Sequence, residues 1–301
     1  VKKFKDSVVI KNIPYKTGVF FLYLTSLLPF WVLYAFSDVL YLILYYIVKY
    51  RRKVVYNNLK NAFPQKCEAE RKAIEKKYFR FLADNIVETV KMLSMSEKTI
   101  KKRYRVNNPE EMTKHFDAGK SIVAVTGHYG NWEWGSLILS ATFKEPLIIV
   151  YKPLTDKRFE GLMNGMRSKF GAIMVAMKQT LRKITEFRKQ TFYTVLLGDQ
   201  TPARVETKYF TTFLNQPTAV FLGVEKMAKM LNSPVVYCSS NRLKRGYYEC
   251  TFETLIEEPG KTGEYEITDL HTRCLEQTIL DRPELWLWSH KRWKYKPENF
   301  K

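Results

Sequence analysis

From residue 121 onward, short apolar runs alternate with segments of helical period. Such continuous β-branched runs are typical of strands buried in a parallel sheet. The apolar runs read SIVAVTG, PLIIVYK, AIMVAM, YTVLLGDQ, PVVYCSS and YYECTFETLIEE. Repeated strand–helix units favour right-handed crossovers between neighbouring strands. The pattern therefore predicts an α/β fold with a mostly parallel central sheet flanked by helices.

The beginning of the chain has a different pattern. Residues 17–37 contain no charged side chain, and a second apolar run covers residues 39–48. A helix needs about 20 apolar residues to cross a bilayer, so the first run is long enough to span. We expect residues 1–50 to form a membrane anchor. Pro29 and Asp38 leave open a kinked span or a span followed by an interfacial helix, and the alternative is a buried hairpin of two core helices.

The remaining chain, residues 51–301, is expected to form one catalytic domain. Residues 51–110 are charged and repeat apolar positions every three to four residues, which predicts a helical lead-in. Residues 118–301 carry the alternating pattern and are expected to form the α/β core. Any site formed between neighbouring strands should therefore lie within this core.

The net charge limits the classes of partner, and the cysteine spacing limits the kinds of site. The 301 residues include 50 Lys and Arg against 30 Asp and Glu, a formal net charge of +20. Such a field attracts anionic membranes, acidic proteins, phosphorylated substrates or nucleic acid. The four cysteines form no C-x-x-C pair, which argues against a zinc ribbon or a disulfide framework. We expect no metal site.

Two of the predicted strands end in conspicuously polar residues. His128 follows the first strand, and Asp199 and Gln200 follow the fourth. In open α/β sheets, ligands bind beside the carboxyl ends of the strands. The sequence therefore predicts one site shared by these two strand ends.

His128 is the side chain best suited to remove a proton near neutral pH. A general base needs one free ring nitrogen and an acceptor that holds the other, and Glu133 in the following helix is the expected acceptor. The turn and the helix start would offer amides to a developing oxyanion. In the structural alternative, Asn131 caps the helix and Glu133 is a favourable first-turn charge.

The block GHYGNWEW resembles the signature of the bacterial lipid A late acyltransferases, within the superfamily of H-x-x-x-x-D/E lysophospholipid acyltransferases. Other blocks follow in the family's order, and the resemblance covers nearly the whole chain. They read RRKVVYNNLKNAFP, VYKPLTDKRFEGLMNGMRSKFGA, LLGDQTP and PELWLWSHKRWKYKP. The resemblance implies a glycerolipid acyltransferase-like fold and an O-acyltransferase of the bacterial inner membrane, with its catalytic domain facing the cytoplasm.

By this resemblance, an acyl group passes from a thioester to a hydroxyl, with His128 as the base and Glu133 as its orienting partner. The donor is expected to be carried by acyl carrier protein, although coenzyme A stays open, and the acceptor is an anionic glycolipid. No cofactor is expected, because the thioester is itself a co-substrate. The further candidates, all for substrate binding, are Arg167, Asp199, Gln200, Asn131, Lys152 and Arg158.

Three alternatives remain at this point. The same mechanism could act on another lipid acceptor. A metal-dependent membrane hydrolase could use His128, Glu133 and Asp199 as ligands, although it would lack the usual nearby second histidine. A tethered nucleic-acid-binding protein fits the charge, but the chain has no recognisable nucleic-acid-binding motif, so no nucleic acid is expected as a partner.

The terminal segment WLWSHKRWKYKP also has two interpretations. Its aromatic side chains form either an interfacial patch or a cluster packed on the sheet.

Overall fold

A computed structural model describes residues 2–187 and 189–300, with residues 2–14 described by their backbone alone. The outermost residues of the two expected domains, Val1 and Lys301, lie outside the described residues. The order of elements agrees with the predicted α/β class.

The apolar beginning of the chain forms two helices that meet at a proline. Helix α1 (Lys2–Leu27) ends before Pro29, and α2 (Phe30–Leu42) continues into a π-helical turn. Proline lacks an amide hydrogen and disfavours helical geometry in the residue before it. The apolar run 17–37 is therefore not one helix. By length and composition, the 18 residues Phe30–Ile47 are the stretch able to cross a membrane in the described chain.

Only one side of α2 is covered by the body of the protein. Leu33, Ser37 and Tyr41, spaced four residues apart, are buried, and α2 packs against α4. Large apolar side chains on the other sides are exposed, among them Trp31 and Phe36. The helix thus presents a broad apolar surface outward while it is fixed to the domain.

The lead-in is helical apart from one short strand. Its elements are α3 (Arg52–Ala62), α4 (Glu68–Lys91), α5 (Glu97–Arg103), β1 (Tyr104–Val106) and α6 (Glu110–Asp117). Strand β1 was not predicted, and it pairs in parallel with β9 at the edge of the sheet. A three-residue strand gives too short an apolar alternation to be recognised in a sequence.

The core alternates strands and helices as predicted. Its strands are β2 (Ile122–Thr126), β3 (Leu147–Tyr151), β4 (Ile173–Ala176), β5 (Tyr193–Leu197), β6 (Phe210–Phe213), β7 (Gln216–Ala219), β8 (Val235–Lys244) and β9 (Tyr247–Ile256). Its helices are α7 (Trp132–Thr142), α8 (Lys157–Arg167), α9 (Thr180–Glu186), α10 (Gly223–Leu231) and α11 (Glu266–Asp281). Strands β6 and β7 form a separate antiparallel hairpin.

The main sheet has seven strands in the order β1-β9-β8-β2-β5-β3-β4. Its pairs are parallel except the hairpin β8–β9. Strand β2 is central, and Ile122 to Val125 are fully buried, which explains its continuous apolar sequence. In its register with β5, Thr126 lies opposite Leu197. Residues 128 and 199, two positions beyond this pair, therefore leave the sheet side by side.

Candidate active site

The polar turn after β2 is fixed by contacts on both sides. Gly130 has a φ of +60°, a region that glycine enters without strain. A Cβ atom at this position would clash with Ser240 Oγ. The Gly130 amide donates to the carbonyl oxygen of Leu285 at 3.0 Å, and its carbonyl accepts from Asn85 Nδ2 at 3.3 Å. The positive φ and the close approach of Ser240 both favour glycine at this position.

Asp199 is the acceptor that orients His128. Its Oδ1 accepts from His128 Nδ1 at 2.6 Å, and its Oδ2 accepts from the His128 amide at 2.9 Å. Trp286 Nε1 also donates to Oδ2, at 2.8 Å. Burial alone would raise the pKa of Asp199, but the His128 ring and these donors lower it well below its usual value. The carboxylate is therefore ionised and holds a proton on Nδ1.

With Nδ1 carrying the proton, Nε2 of His128 is free to accept one. Gln200 Nε2 lies 3.1 Å from this nitrogen and can donate to it. The His128 side chain is largely buried, with 13% of its surface exposed. The arrangement has the two features of a general base, which are an anionic orienting partner and an accessible second nitrogen.

Glu133 does not have the position that the sequence led us to expect. Its two oxygens accept from Arg167 Nε at 2.7 Å and from Arg167 Nη2 at 2.5 Å. The expected orienting contact from Glu133 to His128 is thus replaced by the contact from Asp199. The reason is geometric: β5 is hydrogen-bonded to β2 and carries Asp199 level with the histidine, whereas Glu133 faces α8.

These two pairs, His128–Asp199 and Glu133–Arg167, lie within the part of the chain that matches a known family. The family described as Bacterial lipid A biosynthesis acyltransferase matches residues 2–295. The chain belongs to this family. It is therefore an acyltransferase.

Three relatives illustrate the likeness. The lipid A biosynthesis palmitoleoyltransferase of Escherichia coli (strain K12) is 21% identical over 250 residues, which cover 83% of this chain and 81% of that protein. The lipid A biosynthesis lauroyltransferase of the same strain is 23% identical over 284 residues, with coverage of 93% and 91%. A lipid A biosynthesis acyltransferase of Haemophilus influenzae is 24% identical over 219 residues, with coverage of 73% and 68%.

In this acyltransferase, the side-chain amide of Asn131 makes two hydrogen bonds within the protein, one through its oxygen and one through its nitrogen. Its Oδ1 accepts from the Trp134 amide at 2.9 Å and caps α7, and its Nδ2 donates to Glu88 at 2.6 Å. Asn131 is 2% exposed. The sequence predicts that Asn131 binds substrate. In the structure its oxygen caps α7 and its nitrogen is bonded to Glu88, so Asn131 supports the turn.

Three of the amides expected as oxyanion donors, in the turn and at the helix start, are engaged within the protein. The amides of His128, Gly130 and Trp134 donate to Asp199, Leu285 and Asn131 respectively.

The side chain of Arg167 offers another hydrogen-bond donor. Burial would lower its pKa, but the Glu133 carboxylate raises it, so the guanidinium stays charged. Its Nη1 has no hydrogen-bond partner among the described residues.

Lys152 and Arg158 lie on the segment that follows β3. Lys152 is exposed one residue beyond the strand. Arg158 pairs with Asp156 at 3.2 Å, and its guanidinium lies over the ring of Tyr15. Tyr15 in turn donates to the Arg158 carbonyl oxygen at 2.9 Å. These contacts connect α8 with α1, the apolar beginning of the chain.

Sequence reasoning missed a buried carboxylate beneath the turn. Glu88 of α4 accepts from Asn131 Nδ2, from Tyr248 at 2.8 Å and from Tyr34 at 2.8 Å. Its backbone carbonyl accepts from Trp134 Nε1 at 2.9 Å. Burial, with the nearby Asp84 charge, raises the pKa of Glu88 to about 7. A signal existed: Glu88 lies seven residues after Phe81, on the apolar face of α4.

The tryptophans of the terminal segment are core residues. Trp286 and Trp288 are 1% and 0% exposed, and their rings meet edge to face at 4.7 Å. They are therefore not an interfacial patch. Nearby, Arg292 is buried and donates to the Ala219 carbonyl oxygen at 2.7 Å. Burial lowers the pKa of Arg292 to about 10, against the opposing effect of Asp199.

Proposed function

We propose that this acyltransferase moves a fatty acyl chain from acyl carrier protein to a hydroxyl of a lipid A precursor or a related membrane glycolipid. The observation that carries the proposal is the His128–Asp199 pair at the carboxyl ends of two neighbouring strands. The names of the relatives support a lipid A-type acceptor. The net charge of +20 supports an acidic carrier and an anionic acceptor.

In the proposed step, His128 Nε2 takes the proton of the acceptor hydroxyl. The oxygen bonds to the thioester carbonyl carbon, the carbon–sulfur bond breaks, and the leaving thiolate receives the proton from His128. Asp199 stabilises the imidazolium that forms between these two transfers. Glu133 holds the Arg167 fork, whose free Nη1 is the proposed donor to the developing oxyanion.

We also propose that the enzyme acts at the cytoplasmic face of the bacterial inner membrane, with the exposed apolar sides of α1 and α2 in the lipid. Support comes from the apolar stretch Phe30–Ile47 and from the many exposed aromatic side chains beside it. Aromatic and basic side chains suit the headgroup zone. The anchor keeps the site within reach of a lipid acceptor that does not leave the bilayer.

A metal-dependent hydrolase is the weaker reading of the same residues. It would need His128, Glu133 and Asp199 to converge on one ion. In the described chain there is no group of three or more His, Cys, Asp and Glu side chains arranged to hold a metal. The Arg167 guanidinium, bonded to both oxygens of Glu133, satisfies this carboxylate without an ion.

The test uses purified enzyme, an acylated carrier protein and a phosphorylated lipid A precursor in neutral detergent. We expect His128→Ala to lose activity by about 10²–10⁴-fold, as for removal of a general base. His115→Ala is the matched control, because His115 of α6 is hydrogen-bonded to Thr254 of β9 and has no part in the mechanism. Near-normal turnover by folded His128→Ala would contradict the proposal, and activity lost on chelation would favour the hydrolase.

A further inference from the structure

A basic groove lies between α3 and the terminal segment of the chain. It has a volume of about 980 Å³. The charged residues that line it are Lys60, Arg71, Lys291, Lys294, Lys296 and Glu298. Five positive charges thus face one negative charge.

Most of this positive charge is not neutralised inside the protein. Lys60, Lys291 and Lys296 are exposed, and none of them pairs with a carboxylate of residues 15–187 or 189–300. Lys294 lies over the Tyr295 ring, 4.6 Å from its centroid. Ammonium groups held together without counter-charges create a local positive field, which attracts an anionic partner.

The walls of the groove are fixed to each other. Asn58 of α3 donates from Nδ2 to the carbonyl oxygens of Trp288 at 2.9 Å and His290 at 3.0 Å. Asn58 belongs to the block RRKVVYNNLKNAFP, which the acyl-transfer chemistry leaves without a role. The contact holds the start of the lysine-bearing segment against α3, so the charges are presented on a preformed surface.

The groove also connects with the reactive side of His128. Thr201 Oγ1 donates to the carbonyl oxygens of Lys291 at 3.3 Å and Arg292 at 2.8 Å. The preceding residue, Gln200, lies 3.1 Å from His128 Nε2. The segment that lines the groove is therefore bonded to the strand exit whose side chain contacts the catalytic nitrogen.

We infer that this groove is the docking surface for an acidic protein that carries the acyl thioester. The inference rests on the proposed function, because it names the place where that donor binds. An acidic carrier matches the surplus of lysine, and a carrier seated there delivers its thioester arm to the side of the site that His128 Nε2 faces. Docking on exposed lysines controls encounter and donor affinity rather than the acyl-transfer step.

The experiment compares two triple variants of the full chain. The groove variant is Lys291→Ala/Lys294→Ala/Lys296→Ala. The control, Lys98→Ala/Lys102→Ala/Lys144→Ala, removes three exposed lysines that line none of the described cavities and lowers the net charge equally. Each is assayed with an acylated carrier protein and with an acyl-N-acetylcysteamine thioester, which has no carrier. Equilibrium binding of the carrier protein is measured separately, without turnover.

We expect the groove variant to raise both KM and Kd for the carrier protein by about tenfold, with kcat within about twofold of wild type. The carrier-free thioester and the control variant should behave as wild type. Equal KM values in the two variants would overturn the inference. An equal loss of activity with the carrier-free thioester would also overturn it, because that result would mean damage to the site. So would a groove variant that loses only its binding to anionic phosphatidylglycerol vesicles. Wild type that transfers from neither donor would instead refute the proposed function.

Discussion

At the residue scale, one carboxylate that accepts three hydrogen bonds holds His128, the proposed base. Asp199 accepts from the ring and the amide of His128 and from the indole of Trp286. The backbone contact fixes where the turn lies, and the side-chain contact fixes which ring nitrogen carries the proton. The position and the tautomer of His128 therefore depend on the same carboxylate.

Asp199→Asn should consequently be one of the most damaging isosteric substitutions. An amide can present its NH2 group to Nδ1 and favour the wrong tautomer, an effect worth about 10⁴-fold in kcat in the Ser-His-Asp triad. We expect a loss of about 10³–10⁴-fold with the fold retained, measured by steady-state kinetics and thermal unfolding.

Glu133→Gln is the comparison for this prediction. Its amide can still accept one hydrogen bond from Arg167, so we expect a smaller loss, about 10–10²-fold, through a less firmly held guanidinium. A larger loss for Glu133→Gln than for Asp199→Asn would contradict the assignment of Asp199 as the orienting residue.

Glu88 makes stability depend on pH. Its folded pKa of about 7 lies above the usual value of a free glutamate, so the folded state binds the proton more tightly than the unfolded state. The free energy of unfolding should therefore fall as pH rises from about 4.5 to 7, by at most about 3 kcal/mol.

The variant Glu88→Gln removes this titration. Its amide oxygen can accept from Asn131 and Tyr248, and its NH2 can donate to the Tyr34 oxygen. We expect its free energy of unfolding to vary less with pH between 5 and 7.5 than that of wild type, measured by denaturant titration in detergent. Parallel pH curves for the two proteins would exclude an elevated pKa at Glu88.

At the scale of elements, the site depends on which strands are neighbours. The sequence predicted that β2 and β5 exist and that both end in polar residues, because their apolar runs and polar exits are local patterns. It did not predict that β5 lies beside β2, with Leu197 opposite Thr126. Strand order is a non-local property, so the carboxylate nearest in sequence, Glu133, was assigned the contact that Asp199 makes.

Other contacts of the site could not be predicted from the sequence either, because they too are non-local. The Arg167–Glu133 pair joins two helices that are separated by a strand, and Glu88 meets Asn131 across 43 residues of chain. The break between α1 and α2 was foreseeable, since Pro29 was recognised as a possible kink. Its consequence, a shift of the candidate span to Phe30–Ile47, follows from the helix break and from the length of the apolar helix after it.

The turn after β2 gives an element-scale prediction. Gly130→Ala adds a Cβ that clashes with Ser240 Oγ at a positive φ, so we expect a destabilisation of about 1–3 kcal/mol together with a large loss of activity. Thermal unfolding and kinetics measure both effects.

Gly161→Ala is the matched control, because a Cβ there meets no atom within 4 Å and the position is inside α8. It should leave activity unchanged and stabilise the protein by about 0.5–1 kcal/mol through helix propensity. Similar behaviour of the two alanine variants would show that the turn does not need glycine.

At the scale of the whole molecule, an apolar face and a basic surface belong to one domain. Exposed apolar side chains concentrate on α1 and α2, whereas lysines and arginines give the chain its +20 charge. A membrane surface attracts both features, the first by burial of apolar area and the second by anionic headgroups. The combination suits the proposed transfer from a water-soluble donor to a lipid-bound acceptor.

This view predicts a role for the outer face of α2 and of the π-helical turn that follows it, where Ile47 lies. The variant Trp31→Ser/Phe36→Ser/Ile47→Ser should reduce co-sedimentation with phosphatidylglycerol-containing vesicles by at least about tenfold, since each side chain contributes on the order of 1 kcal/mol or more of apolar burial. The control Leu181→Ser/Val205→Ser/Leu280→Ser changes three other exposed apolar residues. Equal binding by the two variants would contradict a membrane-facing α2.

The central claim is that His128, oriented by Asp199, drives acyl transfer to a lipid A-type acceptor. The most direct test is mass spectrometry of total lipids from cells that lack this protein, complemented with wild type or with His128→Ala expressed at equal levels. We predict lipid A that is short of one acyl chain, restored by wild type alone. Complete lipid A in the deficient cells, or restoration by His128→Ala, would contradict the account.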